Sequence, residues 1–391
     1  MFSFRTNWPL APNRLSLILR DRRDAGLPIL DLAESNPTRC GLALDGNEIL
    51  APLQNIEALA YRPDPRGLRV AREAVAQYYS ERGVSLDPDQ IFLTSSTSEA
   101  YSFVFRLLAD PGDKILAPQP SYPLFDFLGA LNDVNVKAYP LAYNDGWQVD
   151  LQVLAAQWDS RTRAVLVVHP NNPTGSYIQI SELAAMVELC RRHNAAIIAD
   201  EVFSDYGFEA DSKRVGTHAQ ESPVLTFTLS GLSKISALPQ MKLAWIVVNG
   251  PVGLRRQALA RLEVIADTYL SVSAPVALAA PSWLAQRGAI QAQVMERVKR
   301  NLRQLDELLT PEMPIGRLNV EGGWYAILKV PSTRSDEDWA VELLTQTGVS
   351  VHPGHFYDFP SEGHLVLSLL PRSEVFGEAL AKIVSLVCRY I

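Results

Sequence analysis

The sequence predicts an α/β fold: a three-layer α/β/α domain around a mixed, mostly parallel sheet, followed by a smaller α+β domain. Three observations predict it. Between about residues 90 and 250, short runs that are apolar on both faces alternate with helical patterns. These runs are "QIFLT", "DKILAP", "RAVLVVHP", "AAIIADE", "VLTFTLS" and "LAWIVV", and two-faced apolarity marks strands buried between helix layers. The chain has 391 residues, more than the ~250 to 300 at which a single core stops growing. After Pro251 the strand signals stop, and the last eighty or so residues resume them in a different style.

The elements follow in order. Ser181 is placed to cap the helix "SELAAMVELCRRH", whose Leu183, Met186, Val187 and Cys190 share one face. "VGLRRQALARLEVIADTYL" and "QAQVMERVKRNLRQLDELL" read as long amphipathic helices that connect domains. "GGWYAILKV", "VSVHPG" and "HLVLSLL" read as short strands, and "SEVFGEALAKIVSLVC" sets Val375, Ala379, Ile383 and Leu386 on one helical face. There is no internal repeat and no low-complexity segment.

Composition narrows the function. Apolar residues at 47% and charged residues at 20% are those of a globular protein with a large core. A net charge of −7 with scattered arginines offers no field for nucleic acid. Cys40, Cys190 and Cys388 are too few and too far apart for a disulfide framework or a zinc cluster, and no metal site is expected. The N-terminus lacks an apolar signal core and no run of some 18 apolar residues occurs. A cytoplasmic protein without membrane partners is the expectation.

Ligands of open α/β sheets bind beyond the carboxyl ends of the strands, and four polar clusters lie there. "TSSTSEAYSFVFRLL" opens a helix after a strand, so N–H groups and hydroxyls near Thr97 and Ser98 can hold a phosphate; alone, this is equally a plain helix cap. "HPNNPTG" alone is a β-turn. "AAIIADE" ends a strand on Asp200 and Glu201. A magnesium-binding acidic pair would need a G-x-x-x-x-G-K-[ST] loop, which the chain lacks. "SGLSK" ends a strand with Lys234, among neighbours unlike those of a charged face; partial desolvation there would free its amine as a nucleophile able to form a Schiff base. Together the clusters supply an amine for an aldehyde, a carboxylate for a pyridine nitrogen, phosphate donors and a contact for a ring oxygen. Those are the needs of pyridoxal phosphate.

In order and spacing, "YRPDPRGLRVAREAVAQYY", "TSSTSEA", "PGDKILAPQPSYPLF", "HPNNPTG", "ADEVF", "SGLSK" with Lys242, and "VHPGHFYDF" resemble the fold-type I pyridoxal-phosphate aminotransferases of class I/II. The resemblance runs over nearly the whole chain. It implies the pyridoxal-phosphate-dependent transferase fold, with a large domain over 46–275 and a small domain made of 1–45 and 276–391. It implies that Lys234 forms the Schiff base and moves the proton, that Asp200 pairs with the pyridine nitrogen, and that Asn172 donates to the ring oxygen. Tyr122 would stack on the ring; Thr97, Ser98, Ser230 and Lys242 would hold the phosphate. Tyr61 would reach the phosphate of a neighbouring subunit's cofactor, which implies a homodimer with shared sites. The activity implied is transfer of an amino group between an amino acid or amine donor and a keto acid acceptor by a ping-pong cycle.

Three positions depart from the family pattern. Phe203 stands where a tyrosine is usual, which removes one donor to the ring oxygen. Val366, in "HLVLSLL", stands where an arginine normally clamps the substrate carboxylate; Arg372 and Arg39 are the candidate replacements. In "ESNPT", Ser35 and Asn36 give a more polar substrate wall than the usual glycine. The missing arginine keeps open a second reading on the same fold, a β- or γ-eliminating C–S lyase or an enzyme resembling aminocyclopropane-carboxylate synthase. A cofactor-sensing transcription regulator would need a basic N-terminal helix-turn-helix unit, and the first 45 residues are too short for one.

Overall fold

The computed structural model describes residues 1–390. Its main sheet has eight strands: β1 (Ile91–Thr94), β2 (Lys114–Gln119), β3 (Asn135–Tyr143), β4 (Trp147–Val149), β5 (Thr162–Val168), β6 (Ala196–Asp200), β7 (Thr226–Gly231) and β8 (Ala244–Asn249). Their spatial order is β1-β8-β7-β6-β5-β2-β3-β4. The pairs from β7 through β6, β5 and β2 to β3 are parallel, while β8 runs antiparallel to both β1 and β7. Alternate residues face opposite helix layers, as strand geometry requires. Ile197 and Ala199 join the core of Met186 and Cys190 on α3 (Ile180–His193). Ile198 joins that of Phe103 and Val104 on α2 (Thr97–Leu108) and Leu262 on α5 (Val252–Asp267).

All six strands read between about residues 90 and 250 are present. The structure adds β3 and β4, which the apolar-run criterion misses because only Tyr139 and Leu141 of β3 are buried. Here an outer strand carries polar residues on its open side. Ser181 is not the cap of α3: the helix begins at Ile180, and Gln179 with Glu182 forms the capping box. Helix α6 (Ala274–Ala285), unread because of Pro275 and Pro281, packs on α1 (Arg69–Ser80). Between α3 and α5 lies one further turn of helix, α4 (Leu232–Ile235).

Helix α7 (Arg287–Leu308) leads to a four-stranded antiparallel sheet of β9 (Gly316–Arg317), β10 (Tyr325–Lys329), β11 (His352–Pro353) and β12 (His364–Ser368), in the order β9-β10-β12-β11. The N-terminal segment joins this unit, since Leu30–Asp31 pairs in parallel with Val349–Ser350. On the last helix, α8 (Ser373–Cys388), the buried apolar residues are Phe376, Ala379, Leu380, Ile383, Leu386 and Val387. Phe376 thus takes the core place expected of Val375.

Candidate active site

The sheet topology gathers the clusters along one edge. Tyr122 follows β2, Asn172 follows β5, Asp200 is the last residue of β6 and Lys234 follows β7, all on adjacent parallel strands. Thr97 follows β1, on the far side of β8. Because β8 is antiparallel, its start lies at this same edge: Ala244 pairs with both Thr94 and Gly231. Lys242, two residues earlier, is thereby delivered between Thr97 and Lys234.

At the centre, the Lys234 amine lies 5.0 Å from the ring centroid of Trp324 and 5.4 Å from that of Phe203. It forms no ion pair among the described residues. Burial pulls its pKa down to about 8, against the opposing pull of Asp200, so about a tenth of the amine is free base at pH 7, far more than for an ordinary lysine. Burial pushes the Asp200 carboxyl up to about 6, opposed by two donors. Val202 N–H donates to Oδ1 at 3.0 Å and the Tyr101 hydroxyl to Oδ2 at 2.7 Å. Tyr101 is a site residue that the sequence reading missed. Its signal was present, since it lies one helical turn after Thr97 on α2. Asn172 is buried and its Oδ1 has no hydrogen-bond partner. A half-buried amine beside a buried carboxylate and a buried amide, none spent on one another, fits a ligand carrying an aldehyde, a basic ring nitrogen and a polar oxygen.

The residues expected from the sequence to hold a phosphate are placed by helix and loop geometry. Ser96 caps α2 by accepting the Glu99 N–H, which leaves those of Thr97 and Ser98 without an intrahelical acceptor. Ser230 is buried, with its hydroxyl 3.4 Å from the Glu201 carbonyl. Lys242 is exposed, held at φ +53°, and forms no ion pair among the described residues. Tyr122 is half-buried near Asp200 and Tyr325, and burial foremost pushes its phenol to about 12. Tyr61 is 84% exposed and reaches none of these groups within one chain. It borders a cavity of about 350 Å³ shared with Leu270 and Pro275.

Glu201 is spent elsewhere. Burial alone would raise its pKa, but His218 at 3.0 Å and its neighbours overcome that and lower it to about 2. Thr217 donates to its other oxygen at 2.7 Å. Asp200 and Glu201 therefore form no open acidic pair.

The small-unit sheet closes the cleft with one face. Residues paired across an antiparallel ladder point the same way, so Tyr325 with Ser368, and Ile327 with Val366 and His352, share a face. Tyr325 lies 6.2 Å from the Phe203 ring and its phenol neighbours Ser35. Val366 is buried on that face, with no permanent cation beside it among its ladder partners. Asn36 is tied to its own turn, accepting from the Thr38 N–H and hydroxyl. Arg39 is exposed, 3.8 Å from Glu34. Arg372 packs its guanidinium over Gly41, whose φ of +69° and missing Cβ make the room.

With this geometry established, known proteins were compared. The family model for aminotransferase class I and II matches residues 45–380. Among curated relatives, the glutamate-pyruvate aminotransferase AlaA of Haemophilus influenzae is 25% identical over 375 residues, 94% of this chain and 92% of that protein. An alanine aminotransferase of Mycobacterium tuberculosis is 28% identical over 347 residues, 86% of this chain and 80% of that one. Among solved structures, alanine aminotransferase from Pyrococcus furiosus superposes with a TM-score of 0.89 at 23% identity, covering 99% of each chain. Aspartate aminotransferase from Thermotoga maritima gives 0.85 at 21%, covering 98% of this chain and 99% of that one. The chain belongs to the class I and II aminotransferases. It is a pyridoxal-phosphate-dependent aminotransferase, and nothing in these comparisons favours the lyase or synthase alternative.

Proposed function

We propose that Lys234 is the residue that joins the cofactor aldehyde, with Asp200, Asn172, Tyr122 and the phosphate set in the roles the resemblance implies. The observation that carries this reading is the half-buried, unpaired Lys234 amine, electrostatically linked to a buried Asp200 at the edge of the same sheet. When bound, pyridoxal phosphate supplies an aldehyde carbon that exchanges amines and a protonated ring that draws electrons from the donor's Cα. The chain's own residues do the rest. Asp200, held ionised by Tyr101 and Val202, keeps a proton on the ring nitrogen. The Lys234 amine, once displaced, takes the proton from the donor's Cα and returns it at the carbon that receives the nitrogen. Trp324, Phe203 and Tyr325 exclude water from that path.

The cycle runs in two half-reactions with an amino acid donor and a keto acid acceptor. Alanine, glutamate and pyruvate are the first substrates to try, because relatives carry those names. Asn36 and Arg39 stand at the substrate mouth, next to Ser35 and the Tyr325 phenol. Arg372 remains a weaker candidate, since reaching the cleft requires leaving Gly41. Closure of 1–45 with 276–391 over 46–275 holds the substrate. The exposed Tyr61 and its cavity support a homodimer in which that tyrosine serves the neighbouring site. The three free thiols support a cytoplasmic setting, and no helix among the described residues is long and apolar enough to cross a membrane. Steady-state kinetics with 15N-labelled donor test the reading. Parallel-line patterns with label recovered in the new amino acid support it; label recovered as ammonia refutes it.

A further inference from the structure

The turn that carries Lys234 is four residues long, too short to be stabilised by helical cooperativity, and the main chain gives the Lys234 carbonyl one long bond, from the Ala237 N–H at 3.2 Å. Two side chains from outside the turn add shorter bonds to its last carbonyls. The Tyr206 hydroxyl, on a fully buried ring, donates to the Lys234 carbonyl at 2.6 Å. Gln291 Nε2, on α7, donates to the Ile235 carbonyl at 2.9 Å and to Asp205 Oδ2 at 2.7 Å. Asp205 is fixed in turn through Oδ1, by the Tyr78 hydroxyl at 3.0 Å and by Arg82 at 3.1 Å. The Tyr206 ring also meets the Trp324 ring edge-on at 5.1 Å, and Trp324 is one of the two rings beneath the lysine amine. Tyr206 therefore holds both the main chain of the lysine and the surface on which its side chain rests.

Helix α7 extends this hold to the substrate wall. A turn and a half beyond Gln291, Arg297 donates to the carbonyls of Cys40 at 3.0 Å and Leu370 at 3.1 Å. Asn301 donates to those of Leu369 at 2.9 Å and Pro371 at 2.8 Å. The Leu369 N–H donates to the Trp324 carbonyl at 2.7 Å. One helix thus ties the lysine turn to the end of β12, whose Val366 and Ser368 face the cleft.

We propose that Tyr206 and Gln291 are positioning residues for Lys234. They fix its main chain so that the amine keeps one place relative to the substrate wall, both when it joins the aldehyde and when it carries the proton. The proposal rests on the role given to Lys234 above. A displacement near 1 Å at a reacting group costs roughly 100-fold in rate.

The test uses the holoenzyme with Tyr206→Phe, which removes a single hydroxyl, and Gln291→Met, which keeps length and removes both donated bonds. For each variant kcat, KM, the effect of deuterium at the donor's Cα, and the pH midpoint of the visible cofactor band are measured. The rate at which apoprotein captures pyridoxal phosphate is followed by absorbance. The expected result is kcat lower by about 10- to 100-fold with KM within about threefold, a larger isotope effect, slower capture and a midpoint displaced by roughly half a pH unit. Both variants at wild-type kcat and midpoint would overturn the proposal. So would a loss of kcat that only tracks cofactor content, with the midpoint unmoved. Lys234→Ala separates the two claims: a visible band that survives it refutes the role of Lys234 itself. A band that needs Lys234 but ignores both variants refutes only their positioning role.

Discussion

Replacing Lys234 with methionine stabilises the apoprotein at neutral pH. The lysine is largely shielded from water without an ion-pair partner, and desolvation lowers its pKa from 10.5 to about 8. At about 1.4 kcal/mol per pH unit, that costs the folded apoprotein about 3 kcal/mol when the amine is charged in both states. The sign follows from the two pKa values. Below pH 8 the folded and unfolded lysines are both protonated and the cost is complete. Between 8 and 10.5 the folded lysine has lost its proton while the unfolded one keeps it, so the cost shrinks. Above 10.5 it is gone. Methionine gives up the contacts of the ammonium with Trp324 and Phe203, roughly 0.5 to 2 kcal/mol, and recovers part of that through sulfur–aromatic contact. The net gain is therefore about 1 to 3 kcal/mol at pH 7, decaying toward zero or below by pH 10.5. The assay is urea unfolding of wild-type and Lys234→Met apoproteins, stripped of cofactor, at pH 7 and pH 10.5. A variant less stable than wild type at pH 7, or equally stabilised at both pH values, would refute the reasoning.

The same electrostatics bear on neighbouring residues. Tyr101→Phe removes the 2.7 Å donor to Asp200, a bond to a charged group worth about 1.5 to 3 kcal/mol. The Asp200 midpoint, already raised to about 6, moves up by a further one to two pH units or so, seen as the acid limb of cofactor binding to apoprotein shifting toward neutrality. Phe203→Tyr restores a donor toward the ring oxygen, and a bond to an anion favours the charged form. The pH midpoint of the visible band is thus lower in Phe203→Tyr, and identical titrations of the two proteins would contradict this. His218→Leu leaves the ionised Glu201 buried with only Thr217 and backbone donors. Losing a hydrogen bond to a buried charge costs about 1.5 to 3 kcal/mol, measurable as a lower urea midpoint at pH 7 that narrows in acid as Glu201 is protonated.

The strands that carry the site were legible because they are apolar on both faces, and chemistry-bearing residues follow each one directly: Asn172, Asp200 and Lys234 could be named from their place at the ends of such runs. Strands β3 and β4 lacked that mark, being outer strands with one open side. The partners of Tyr101 and Tyr206 were illegible for another reason, although Tyr101 itself lies one turn after Thr97. Each tyrosine acts through a hydroxyl that meets its partner only across the fold, 99 positions away for Tyr101 with Asp200 and 28 for Tyr206 with Lys234. Arg39 and Arg372 looked alike as unassigned cations, and only packing tells them apart. Arg372 lies over Gly41, whereas Arg39 stays exposed in the turn that follows Ser35.

The central claim is that Lys234 joins the cofactor and that the joined enzyme exchanges amino groups. An absorption spectrum of the protein with pyridoxal phosphate, recorded for wild type and Lys234→Ala before and after alanine and then pyruvate, tests it most directly. The account predicts a visible band in wild type alone, converted by an amino donor and regenerated by a keto acid. A band that persists in Lys234→Ala, or a donor broken down to ammonia and keto acid with the band unchanged, would contradict it.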